Sequence, residues 1–215
     1  MKDSSFEQAH LPSYSILDEP ALAFASGNPD ATHVHPLIGL ERFGAFDQAS
    51  FRTYVPEVRI ALIGPSSGRQ RVRELLGGLN STYQPQERKE YARPYPGFET
   101  LFGAKLQGAD RDLYVTWPDA FPKLGQGLEP KDKVRSALRQ ALDQLSMARD
   151  RFDVVAVHFP DAWMPYLRTK EFDAHDELKS LGAQLGIPTQ VINDRAFDFK
   201  YKGSLSWRLA VALYV

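Results

Sequence analysis

A histidine, a lysine and a glutamine near the C-terminal end have the spacing with the most chemical content. The run Phe172-Asp173-Ala174-His175-Asp176-Glu177-Leu178-Lys179 sets His175 and Lys179 four residues apart, and Gly186-Ile187-Pro188-Thr189-Gln190 brings in Gln190 from the next segment. On a helix, residues at i and i+4 are surface neighbours. Lysine supplies a positive charge, glutamine two neutral N–H donors, and histidine a donor or a stacking face. Together these groups suit a phosphate. Arg168, Lys170, Arg195, Lys200 and Lys202 follow or precede closely, a locally cationic patch in a protein of net charge −1. By pattern alone the plainer reading, a boundary His and Lys on an ordinary helix, ranks first.

A helix is expected over roughly 171–185. At about 100° per residue, Ala174, Leu178, Leu181 and Leu185 cluster on one buried face, with His175 and Lys179 at its edge. Gly182 lies on the same stripe and leaves room for a backbone or a ligand to approach. Thr189 to Ile192 reads as a strand returning past that edge, and a final apolar helix spans about Leu205 to Val215. Upstream, the pattern changes at Val58: Arg59 to Gly64 reads as a buried strand, Leu113 to Trp117 as a second strand, and Phe152 to Phe159 as a continuous apolar one. Val72, Leu75, Leu76 and Leu79 mark an amphipathic helix. Lys131 to Arg149 marks another, with Val134, Leu138, Ala141, Leu142 and Leu145 at helical spacing and Pro130 suited to its first turn. Strands alternating with helices imply an α/β, Rossmann-like, mostly parallel sheet flanked by helices. Residues 1–57, rich in turn residues, read as an irregular arm without a core of its own, with short strands or anchors at Leu17–Phe24 and Leu37–Phe46.

Other constellations read more plainly. Gly64-Pro65-Ser66-Ser67-Gly68 follows a strand and opens a helix, a context that can cradle phosphate. It matches neither dinucleotide-binding nor P-loop spacing, so it reads as a turn. His33, His35 and Asp30 lack further ligands for a metal. His158 ends a buried strand and reads as a core or rim histidine. Asp173, Asp176 and Glu177 read as solvated, and Arg88, Lys89 and Arg93 as a surface loop between Tyr83 and Tyr95. The chain has no cysteine, which excludes disulfides and thiol catalysis. It has no run of 18 apolar residues and no leader-like opening, so a cytoplasmic location is expected.

The stretch from Phe152 to Val215 resembles the MID domain of prokaryotic Argonautes, especially the short ones built of MID and PIWI modules. The motifs are the apolar strand ending at Pro160, then Phe172-Asp173-x-His175-Asp176-x-Leu178-Lys179, then Gly186-Ile187-Pro188-Thr189-Gln190. The arm is similar to the opening of short Argonautes through Leu17-Asp18-Glu19-Pro20-Ala21-Leu22-x-Phe24, His35-Pro36-x-x-Gly39-Leu40 and Gly44. Residues 58–151 fit the expected fold without a distinctive motif. The family's tyrosine is histidine here, a variant common among short Argonautes.

The resemblance implies that His175, Lys179 and Gln190 hold the 5′-phosphate of a small guide RNA or DNA. Arg168, Lys170, Thr189 and Arg195 would be supporting contacts, and Mg2+ would bridge guide phosphates. It implies residues 58–215 as a MID domain and 1–57 as an arm packing on PIWI. A Lys-Leu-Gly-Gly-type segment is expected directly after Val215. No catalysis is expected in this chain. The partners would be a complementary target strand, a PIWI portion, and a sirtuin-like, TIR-like or nuclease effector in defence against plasmids and phage. Two other readings stay open. One is a Rossmann-like enzyme or sensor binding a nucleotide or sugar phosphate at Gly64–Gly68. The other is an interaction domain whose arm and last helix complete a partner's fold.

Overall fold

The computed structural model describes residues 18–45, 57–85, 93–108, 111–121, 128–197 and 202–214. The sheet is built on β3 (Glu57–Pro65), whose apolar run is buried on both faces. Side chains alternate along a strand, so Ile60 and Leu62 enter one core while Ala61 and Ile63 enter the other. β6 (Val154–His158) repeats the pattern, with Val154 and Ala156 on the first side and Val155 and Val157 on the second. That double burial is why both strands read as unbroken apolar runs. β4 (Lys105–Gln107) and β5 (Tyr114–Trp117) pair in turn with the same side of β3. β6 pairs with the other side, and β7 (Thr189–Ile192) adds to β6. Every pairing in this sheet is parallel.

Helices cover both faces, giving the Rossmann-like α/β fold expected from the alternating pattern. α2 (Arg69–Gly78), α3 (Phe98–Phe102) and α7 (Lys202–Tyr214) pack over the first core through Val72, Leu76, Phe98, Phe102, Trp207 and Leu213. α4 (Pro130–Ser146) and α6 (Ala174–Leu185) pack together over the second through Leu138, Leu142, Leu178 and Leu181. α5 (Met164–Leu167) is a single turn between β6 and α6. The chain winds one way from β3 to β4 and β5 and the other way to β6 and β7. The topological switch point therefore lies between β3 and β6, where ligands commonly bind in such sheets.

The first part of the chain differs from its expected form. β1 (Leu22–Ala23) and β2 (Thr32–His33) make a small hairpin, and Pro36–Phe43 is a helix, α1, not a strand. His35 caps it: its Nδ1 accepts from the N–H groups of Leu37 and Ile38, and Pro36 fills the first turn. Leu37, Leu40 and Ala45 pack into the first core, so this segment shares the domain's core. Leu17, Phe46, Arg88, Lys89 and Lys200 lie outside the described residues.

Candidate functional site

The helix carrying His175 and Lys179 starts three residues later than its apolar pattern suggests. Asp173 has extended backbone and its carboxylate accepts from the N–H of His175 at 2.9 Å, so it caps α6 from outside. The same carboxylate meets Arg168 Nε at 3.3 Å, and the backbones of Arg168 and Asp173 form a bridge. Arg168 thus steadies the loop leading into α6. Gly186 closes the helix in the left-handed conformation. The close approach expected at Gly182 is by backbone: an added Cβ would lie 2.6 Å from the Ile187 carbonyl. The turn from α6 into β7 therefore folds tightly, and the strand starts directly beneath the helix.

That tight turn brings Lys179 to the strand that carries Gln190. Lys179 Nζ donates to the carbonyl oxygen of Thr189, the residue before Gln190. Gln190 Nε2 donates to the carbonyl of Val191 at 3.0 Å. Lys179 reaches the strand from the α6 face. Gln190 lies on the opposite face, which it shares with buried Ile192 of the first core. Lys179 is exposed overall, and partial desolvation of its ammonium lowers its pKa from the ordinary lysine value. His175 is exposed one turn earlier, its Nδ1 3.3 Å from the Asp176 carboxylate.

The supporting residues divide. Thr189 is buried, and its Oγ1 has no hydrogen-bond partner among the described residues. Lys170 is exposed on the loop before α6, and Arg195 lies in the turn Asp194–Phe197 after β7. Of the three carboxylates expected to be solvated, Asp176 is. Asp173 is the helix cap, and Glu177 accepts from Arg135 of α4 at 2.9 Å.

The switch point has a different chemistry. Gly64 and Gly68 are needed there because His158 presses on both: an added Cβ would meet the His158 carbonyl at 3.0 Å and its Nδ1 at 2.5 Å respectively. Ser66 and Ser67 donate to the Asp119 carboxylate. His158 Nε2 lies 3.3 Å from Asp194, and Arg71 lies 3.9 Å from the same carboxylate. A hydrogen bond between Asp161 and Asp194 holds Asp161 above the usual carboxylate range, with like-charge repulsion adding to it. Three aspartates thus line the end of the sheet where a phosphate cofactor would sit. Residue spacing alone does not mark them as a group. Their signal is positional: Asp161 and Asp194 each follow the carboxyl end of a strand closely.

Among the described residues, no group of three or more His, Asp or Glu side chains could hold a metal ion. Nor is any helix there long and apolar enough to cross a membrane. No known family model matches this chain, and no curated protein matches its sequence.

Proposed function

We propose that this chain anchors the 5′-phosphorylated end of a small guide strand, with Lys179 supplying charge, Gln190 amide donors and His175 a donor or stacking face. The carrying observation is the convergence of Lys179 and Gln190 on one edge of β7 from opposite faces of the sheet. A cation and a neutral amide at a sheet edge suit a terminal phosphate, whose charge and oxygens accept from both. The resemblance to Argonaute MID domains gives that phosphate its identity. On that reading the chain does no chemistry itself, and acts with a PIWI portion, a target strand and an effector in prokaryotic defence. A Mg2+ ion bridging guide phosphates fits only as an ion carried by those phosphates, because the described residues provide no cage. The aspartates beside Ser66, Ser67 and His158 weigh against a nucleotide or sugar-phosphate cofactor at Gly64–Gly68, since carboxylates repel phosphate.

The test is the affinity of short single strands with and without a 5′-phosphate. Charge-assisted hydrogen bonds are worth about 1.5–3 kcal/mol each, so the phosphate should tighten binding by at least roughly tenfold. Lys179→Ala together with Gln190→Ala should abolish that preference. Equal affinity for the two strands in the unaltered chain would refute the assignment.

A further inference from the structure

Lys179 and Gln190 stand on either side of one short turn, Gly186-Ile187-Pro188, which joins α6 to β7. Any change in that turn moves Gln190 relative to Lys179. Its first residue is its softest point. Gly186 takes φ 64°, and without a side chain it has no packing of its own to fix the peptide that follows. The end of α6 also lacks a cation: its last turn carries no basic residue, although helix ends present unpaired carbonyls and a partial negative charge.

Arg149 meets both needs from outside the turn. It lies in the short turn Arg149–Arg151 after α4, 37 residues before Gly186. Its Nε donates to the Gly186 carbonyl at 3.1 Å, and its Nη1 donates to the Phe152 carbonyl at 2.6 Å. The guanidinium carbon lies 5.2 Å from the centre of the Phe152 ring, which is fully buried. One planar group thus ties the end of α6 to the residue that leads into β6. β6 is the strand that registers β7, since Val155 N–H donates to the Pro188 carbonyl at 2.9 Å. The turn is therefore held at both ends, by Arg149 at Gly186 and by β6 at Pro188. Between them Ile187 is buried, and its N–H donates to the Gly182 carbonyl at 2.8 Å.

We propose, on the phosphate-anchoring reading, that Arg149 is a positioning residue for the phosphate site: it fixes the turn that sets Gln190 against Lys179, and it touches no ligand itself. Groups that grip a ligand must be held within roughly 0.5 Å of their working geometry by supporting contacts. Without Arg149 the peptide after Gly186 is free to rotate. The start of β7 then shifts by a fraction of the roughly 3.3 Å strand rise, which exceeds that tolerance. The competing role is charge alone, a distant cation that attracts phosphate. Lysine separates the two, because it keeps the charge but lacks the rigid fork that bridges two carbonyls.

The test compares the affinities of a 5′-phosphorylated single-stranded hexanucleotide and its 5′-hydroxyl twin for the full chain, unaltered and as Arg149→Ala, Arg149→Lys and Tyr95→Phe, with circular dichroism to verify folding. Tyr95→Phe controls for lost stability alone, since it removes a buried 2.8 Å hydrogen bond to the Leu79 carbonyl in the first core. The unaltered chain should prefer the phosphorylated strand by at least roughly tenfold. Both Arg149 variants should lose most of that preference, through weaker binding of the phosphorylated strand, and Tyr95→Phe should keep it. If Arg149→Ala does not fold, Arg149→Lys carries the comparison. A preference kept in both Arg149 variants would overturn the positioning role while sparing the phosphate-anchoring reading. A preference kept in Arg149→Lys alone would overturn it by showing that charge suffices, and equal loss in Tyr95→Phe would overturn it by showing that general loosening suffices. No preference in the unaltered chain would remove the phosphate-anchoring reading and the positioning role together.

Discussion

Lys179 carries opposing demands. Its ammonium must stay charged to meet a phosphate, yet partial desolvation of this otherwise exposed side chain disfavours the charged form and lowers its pKa. The proton is thus lost at a lower pH than on a free lysine, and the deprotonated amine cannot pair with phosphate. Preference for a 5′-phosphorylated strand should decline as pH rises toward the ordinary lysine value near 10.4, beginning earlier than for an unperturbed lysine. Arginine keeps its charge throughout this range. Binding by a Lys179→Arg chain, whatever its absolute strength, should therefore stay level over the same interval. Anisotropy titrations of both chains at stepped pH check this, and parallel declines would assign the titration to another group.

At the scale of elements, α6 depends on a cap that also anchors the loop before it. Asp173 accepts from the His175 N–H and pairs with Arg168, so one carboxylate sets where the helix starts and holds the preceding loop. Removing a helix N-cap costs about 1 kcal/mol. Asp173→Ala should lower the denaturation midpoint accordingly, while Asp173→Asn, which can still cap, should recover most of the loss; equal loss in both would mean the ion pair with Arg168 matters more than the cap. The same residue shows what the sequence makes legible. β3, β6 and α4 are readable because burial on two faces, or on one helical stripe, writes a long repeating pattern. The start of α6 is not, because buried Phe172 extends the apolar pattern past the capping aspartate. α1 is hidden because its cap is a histidine, and α3 and β4 because both are too short to establish a period. The residue types of the site are legible from spacing. The direction of its donors is not, since it depends on the register of β7 and on how closely α6 crosses it, which Gly182 determines.

For the molecule as a whole, near-neutral charge constrains how a nucleic acid can be held. The net charge is −1, and the end of the sheet at the switch point presents Asp119, Asp161 and Asp194. Asp194 of that acidic crevice follows β7 closely, so a strand held at Lys179 gains attraction locally and none from the protein's overall field. An end-anchored strand and a groove-bound strand then differ in salt dependence. For single strands, log K falls with log salt at a slope of about −0.7 per neutralised phosphate charge. The proposed trio supplies one lysine, Lys179, so end anchoring neutralises about one charge and predicts a slope near −0.7. A strand lying along a basic groove and neutralising about six phosphates would give roughly −4. Removing the 5′-phosphate should flatten the end-anchored slope toward zero and leave a groove-bound slope almost unchanged. Affinities measured between about 50 and 200 mM salt, with and without the 5′-phosphate, separate the two modes. A steep slope indifferent to the phosphate would move the nucleic acid off β7 and onto another surface.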